Sequence, residues 1–263
     1  MSGPAIATAA EIVMAARLGG TPLGPFDPAL GIAGLAEGYL VQQTANDLLE
    51  RRLGERVGHK IAGTNKVMQV YLGCDEPLAG EVFASTVHPS GTPLRLSDYR
   101  RVGIETEIAV RLGRDLPARP ELYVREEVEG AVAEVMAAIE IVDDRYTDFR
   151  TVGAPVIVAD NAFNAGVILG EPLRDWRKLD LGALDASTYI GDVLAAQGTS
   201  DALLGHPMAA LLWLAERRRE LGLGLTAGSF VSLGSITPVQ WLDQPSTARI
   251  IVEEMGEVEV HFG

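Results

Sequence analysis

Cysteine is nearly absent: Cys74 is the only one in 263 residues. A lone thiol excludes an intrachain disulfide and a zinc site built from several thiolates, and it points to a reducing, cytoplasmic setting. No histidine lies near it in the sequence to activate it, so Cys74 reads as inert packing. Positive charge is also scarce. Lys and Arg number 22 against 36 Asp and Glu, and the basic residues are scattered, giving a net charge of −14. Phosphate binding runs on clustered cations, so this balance argues against nucleic acid and anionic membranes as partners. The one dense basic group, "ERRRELG" at 216–222, reads as the exposed end of a helix. No apolar run reaches the roughly 18 residues that span a bilayer. The first 20 residues lack a basic lead and carry Glu11, so they read as an amphipathic helix and not as a signal peptide. Low-complexity tracts are missing too, which leaves a folded chain able to bury a large core.

Histidine is limited to His59, His88, His206 and His261, none beside a nucleophile motif, so no Ser-His-Asp arrangement is expected. "LGLGLTAG" at 221–228 follows a helical pattern and lacks the spacing of a phosphate or dinucleotide loop.

Apolar spacing predicts helices over 7–18 and 35–53, joined by the Gly/Pro-rich stretch "GGTPLGPFDPALG". From "RVGHKIAGTN" onward, short Val- and Ile-rich runs broken by Gly, Pro, Asp and Ser read as strands. A helix is expected over about 122–138, with Val124, Val128, Ala131, Val135 and Met136 on one face, running into a strand at "AIEIVDD". Pro207 suits the first turn of a further helix, and His206 before it reads as its cap. The tail "ARIIVEEMGEVEVHF" alternates on both sides of Met255 and Gly256, as a hairpin does. The class is α+β, with a mainly helical region over 1–78 and a β-rich mixed-sheet body over 79–263.

"GIETEIAV", residues 103–110, sets two glutamates into an apolar run. On a strand, Glu105 and Glu107 share one face while Ile104, Thr106 and Ile108 take the other. Like charges held side by side raise each other's pKa unless a cation lies between them. A polar strand face meeting water is the alternative that the motif alone leaves open. Glu140 follows 33 positions after Glu107, on a second predicted strand reached through one helix. Three converging carboxylates make an all-oxygen site suited to magnesium or manganese. Lys60 in "GHKIAG" is either a surface lysine at a strand end or a desolvated amine with a lowered pKa, usable in proton transfer.

"GHKIAGTN", "GCDEP", "GIETEIAVRLGRDLP", "AAIEIVDDRY", "VIVADN", "LLGHPMAALLWLAE" and "LTAGSFVSLGSITPV", in this order, resemble the bacterial hydratase/decarboxylase family. This is the 2-hydroxypenta-2,4-dienoate hydratase and 4-oxalocrotonate decarboxylase group of the fumarylacetoacetate hydrolase fold. "GLAEGYLVQQ" carries the resemblance into the N-terminal helices. It implies metal ligation by Glu105, Glu107 and Glu140, and catalysis by Lys60 with Asp75 assisting. It also implies substrate contacts at Asp160, Asn161, Gly234 and Ser235, a Mg2+ or Mn2+ cofactor, and a homo-oligomer. The implied reaction adds water to a 2-hydroxy-2,4-dienoate in aromatic-compound degradation. Decarboxylation of a 4-oxalocrotonate-type diacid is the alternative, and C–C bond hydrolysis a more distant one. Where many relatives follow "ADNA" with small serines, this chain has Phe163 and Asn164. Asp143, Asp144 and Arg145 read either as a solvated charge cluster or as a support that orients Glu140.

Overall fold

The computed structural model describes residues 3–263. Helix α1 (Gly3–Arg17) packs against α2 (Leu35–Leu53), which buries Tyr39, Val41, Ala45 and Leu49. The Glu37 carboxylate accepts the Gly34 N–H at the start of α2, and Arg51 and Arg52 favour its negative end. The second helix has the expected bounds, and the first begins four residues earlier than its apolar spacing indicated.

The strands are β1 (Arg56–Ala62), β2 (Leu78–Phe83), β3 (Val87–Pro89), β4 (Thr92–Leu94), β5 (Val102–Leu112), β6 (Val132–Asp143) and β7 (Asn164–Leu169). They continue as β8 (Asp185–Ile190), β9 (Val193–Thr199), β10 (Phe230–Ser235), β11 (Gln240–Trp241), β12 (Ser246–Val252) and β13 (Gly256–Phe262). One mixed sheet runs β2-β1-β10-β5-β6-β7-β3, with β11 added beside β5. A second runs β4-β13-β12-β8-β9. Short helices α3 (Lys66–Leu72), α4 (Arg125–Ala131), α5 (Phe149–Val152) and α6 (Ala154–Ala159) connect the strands, and α7 (Pro207–Glu220) precedes β10. The class is α+β as expected, with helices leading and a mixed-sheet body following.

The second sheet covers one face of β5 and β6. There Thr106 Oγ1 lies 2.6 Å from Thr188 Oγ1 of β8, and Ile104 and Ile108 are fully buried. The opposite face carries Glu105, Glu107 and Glu140 above a small apolar cluster that includes Ala109, Met136, Ala138 and Val167. Glu105 is paired in register with Glu140, so the antiparallel ladder itself sets the two carboxylates opposite one another.

The helix expected over 122–138 is corrected to a seven-residue helix, Arg125–Ala131, followed by the central strand β6. Strand β6 lies between β5 and β7 and is buried on both faces over most of its length. Double burial removes the polar-apolar alternation that marks a strand, so "AVAEVMAA" mimics a helix stripe. At 216–222 the end of the helix, Glu220 to Gly222, is exposed as expected, but the basic residues themselves are half-buried. Arg217, Arg218 and Arg219 pair with Glu76, Glu81 and Glu216. His206 does cap α7, its Nδ1 accepting the Met208 N–H at 3.0 Å.

Candidate active site

A carboxylate oxygen from each of Glu105, Glu107 and Glu140 lies within 4.8 Å of the other two. Glu107 and Glu140 are wholly buried and Glu105 partly so. Glu107 Oε2 accepts the Gly234 N–H at 3.1 Å and the Ser232 hydroxyl. Both come from an irregularity in β10 between Ser232 and Ser235, which turns a backbone amide toward the carboxylate. The turn needs glycine: Gly234 has φ +110°, and a Cβ there would stand 2.5 Å from Thr64. Glu140 Oε1 accepts Asn164 Nδ2 at 2.9 Å and lies 3.1 Å from Lys60 Nζ. Glu107 Oε1 and Glu140 Oε2 are buried with no partner.

Orphaned buried carboxylate oxygens are costly. Burial, then the Glu140 charge, pushes Glu105 up to about 7 against the pull of Lys60. Burial together with Glu140 and Glu105 lifts Glu107 well above the carboxylate range. Lys60 corrects the expectation of a lowered pKa. Burial pulls it down, but Glu140, Glu105 and Glu107 outweigh burial and hold it above its ordinary value. Its ammonium also donates to the Ala162 carbonyl at 2.9 Å.

That carbonyl belongs to a left-handed turn in which Asn161, Ala162 and Phe163 have φ of 54°, 47° and 69°. Three consecutive non-glycine residues there are strained, so the surroundings must hold them. Asn161 Oδ1 accepts the Glu81 N–H at 3.0 Å, and its amide exchanges bonds with Asn46. Arg145 Nη2 donates to the Asn164 carbonyl at 2.9 Å and to Asp160 at 3.0 Å. Asp160 is shared with Arg17, at 3.1 Å. The chain Arg17, Asp160, Arg145, Asn164 therefore ends on Glu140. Asp143 and Arg145 are buried supports of this turn and not a solvated cluster.

A cavity of about 170 Å³ opens beside the acidic group. Of the residues expected at the site, Lys60, Glu105 and Ser235 line it. Glu107, Glu140 and Gly234 stand directly behind. Asp160 and Asn161 are wholly buried and occupied by protein partners, away from the lining. Asp75 is exposed on the turn between α3 and β2, and it lines a separate shallow cavity with Lys66 and Glu76. Sequence reasoning singled out Phe163 and Asn164 as a departure from many relatives, and it missed Ser232, the bond from Asn164 to Glu140, and the other members of the apolar wall, Tyr71, Phe149 and Trp241. The "SLGS" run carried a signal for Ser232; Tyr71, Phe149 and Trp241 carried none, being drawn from three distant segments.

All-oxygen donors, two of them orphaned and buried, fit a hard divalent cation. A family model described as fumarylacetoacetate (FAA) hydrolase, C-terminal, matches residues 66–262. A 2-keto-4-pentenoate hydratase of Burkholderia vietnamiensis is 33% identical over 98% of this chain and 97% of its own length. One from Paraburkholderia phymatum is 36% identical over 85% of this chain and 84% of its own. Among solved structures, a 4-oxalocrotonate decarboxylase of Pseudomonas putida complexed with magnesium and adipate superposes with TM-score 0.92. It is 24% identical, covering 100% of this chain and 99% of the other, a likeness of fold.

Proposed function

The chain belongs to the fumarylacetoacetate hydrolase C-terminal family, and from that premise we propose that it is a metal-dependent lyase adding water to a 2-hydroxy-2,4-dienoate. The observation that carries this is a carboxylate trio with orphaned oxygens beside a buried lysine, at the wall of a closed-in cavity. Glu105, Glu107 and Glu140 would hold Mg2+, or Mn2+ in its place, and the ion when bound supplies Lewis-acid polarisation of the substrate's carboxylate and C2 oxygen. The magnesium in the decarboxylase of the same fold supports that choice.

The remaining work falls to the chain's own groups. Net reaction converts CH2=CH–CH=C(OH)–COO− and water into a 4-hydroxy-2-oxo acid. The C2 hydroxyl loses its proton and C5 gains one, giving a conjugated ketone. Water oxygen then adds at C4 while C3 takes a proton. Lys60 is the proton carrier at Nζ: its ammonium gives a proton to C5, and the amine so formed takes the proton that the C2 hydroxyl loses. The Ala162 carbonyl and Glu140 fix where that ammonium points. Ser235 lines the same cavity and is placed to orient the substrate's polar end. Asp75, outside the cavity, has no part in this reading.

The hydratase reading is favoured over decarboxylation because the relatives above 30% identity are named hydratases, whereas the decarboxylase likeness is one of fold. C–C hydrolysis through a histidine-activated water finds no support, since none of the four histidines lines the cavity. A cytoplasmic homo-oligomer is part of the proposal, supported by the single Cys74 and by the exposed Val193 and Leu194 on edge strand β9. The deciding experiment incubates Mg2+-loaded protein with 2-hydroxypenta-2,4-dienoate and with oxalocrotonate, following ultraviolet loss and carbon dioxide together. Absorbance loss without gas is expected. Carbon dioxide from oxalocrotonate, with the dienoate untouched, would reverse the assignment.

A further inference from the structure

We propose that the part of the cavity away from the carboxylates is an apolar subsite that selects dienoates carrying a bulky, uncharged group at the end remote from C1, and rejects diacids. This rests on the function proposed above. The polar lining side chains are Lys60, Glu105, Ser235, Thr64 and Asn65, apart from the Tyr71 hydroxyl, the Trp241 indole N–H and main-chain groups. The rest is Met68, Leu72, Phe149, Phe163, Trp241 and smaller apolar side chains.

Of the aromatic lining residues, Tyr71, Phe149 and Phe163 form one connected wall, with Tyr146 packed behind it. Tyr71 and Phe149 have ring centroids 5.0 Å apart, Phe149 and Phe163 5.6 Å, and Phe163 and Tyr146 4.8 Å, all tilted or edge-on. These rings come from α3, α5 and the turns on either side of α5 and α6, segments that carry neither Lys60 nor any of the three glutamates. A substrate whose head is held by the carboxylate group therefore presents its tail to them. The wall is also locked: Phe163 belongs to the left-handed turn that Asn161, Arg145 and Lys60 hold in place.

Charge completes the argument. Lys60 is the one cationic residue lining the cavity among the described residues, and it is committed to Glu140 and the Ala162 carbonyl. Two guanidiniums lie close, but neither lines it. Arg150 stacks 5.9 Å from the Phe149 centroid and pairs with Asp148, while Arg101 stacks 4.4 Å from Trp241 and pairs with Asp144. A second substrate carboxylate would lose its water against aromatic carbon and gain no counter-ion. An alkyl or aryl tail gains the same burial that penalises the carboxylate.

The test uses Mg2+-loaded full chain and two readouts. Calorimetry on unreactive 2-oxo acids compares 2-oxopentanoate, 2-oxo-5-phenylpentanoate and 2-oxohexanedioate. The phenyl compound should bind at least about 10-fold tighter than 2-oxopentanoate, within the range that one or two buried apolar groups give, and the diacid weaker than both. The second readout is kcat/KM for dienoates with hydrogen, butyl, phenyl or carboxylate at C5. In Phe163→Ser and Phe149→Ala the ratio of phenyl to unsubstituted substrate should fall about 10-fold, a comparison in which intrinsic reactivity cancels. Equal binding of all three acids, or tightest binding of the diacid, overturns the subsite even if hydration is observed. Absence of turnover on every dienoate overturns the hydratase reading instead, and the order of binding then judges the subsite alone.

Discussion

Lys60 Nζ lies 3.1 Å from Glu140 Oε1, with the two side chains 1% and 0% exposed. A buried ammonium so close to three carboxylates offsets part of their repulsion, and it also stands on the cavity wall where a proton can be passed to substrate. The two roles separate in Lys60→Met, which keeps the aliphatic bulk and removes the charge. Turnover should fall by roughly 10²–10⁴, the usual range for a lost general acid-base group. Metal content should not fall, because the carboxylates lose a competing cation. Metal analysis beside steady-state rates checks both, and near-normal turnover would leave Lys60 with charge balance alone.

Glu107→Gln tests the cation site with little change of shape. The amide cannot supply the anionic oxygen that now stands orphaned, so most bound Mg2+ and most activity should be lost. The metal-free variant should meanwhile melt higher than the metal-free parent, because a buried carboxylate with a strongly raised pKa has been removed. Calorimetric Mg2+ titration and thermal melts after chelation read the two effects. Full activity of the parent after exhaustive chelation would end the metal proposal.

How much of this was legible depended on what kind of physics each residue obeys. Alternation on a strand is local, so Glu105 and Glu107 could be placed on one face from the sequence, and a second strand could be found around Glu140. Helix α2 likewise carries its whole stripe and its basic end in one segment. The start of β6 was illegible because burial on both faces erases the period. Asp160 and Asn161 are polar residues in an apolar run, which marks them as engaged without telling what engages them. Arg17, which holds Asp160, is 143 positions away. The direction of the Lys60 shift turned on distances to three carboxylates, a quantity that no local pattern holds.

The raised carboxylates predict how pH and Mg2+ act together. Glu105, pushed up to about 7, and Glu107, lifted well above the carboxylate range, bind protons more tightly folded than unfolded. In the metal-free protein their contribution is fully present below the ordinary carboxylate pKa of about 4.3 and is lost as pH rises through 7. Mg2+ needs the deprotonated forms, so its affinity and the melting-temperature gain it produces should both grow from pH 5.5 to pH 8. His59, depressed to about 4 by burial and by Arg218, acts on both samples and cancels in the difference. Melts with and without Mg2+ at several pH values test this. A gain independent of pH would mean that the ion binds elsewhere.

Asp160 offers the clearest separation of holding from contacting. Both of its oxygens are taken, Oδ1 by Arg17 at 3.1 Å and Oδ2 by Arg145 at 3.0 Å, and the side chain is wholly buried. Asp160→Asn keeps the volume but leaves two guanidiniums inside without their shared counter-ion. Breaking a buried pair in this way typically costs about 3–5 kcal/mol. Urea unfolding of the Mg2+-loaded protein should show that loss, with the slope unchanged. Because Arg145 also holds the Asn164 carbonyl, and Asn164 holds Glu140, Mg2+ affinity should weaken too, about 10-fold or more by the measure of other outer-shell losses. Saturating Mg2+ should then recover most of the turnover with KM near the parent value, since the carboxylate does not line the cavity. A raised KM at full stability and unchanged Mg2+ affinity would place Asp160 against the substrate instead.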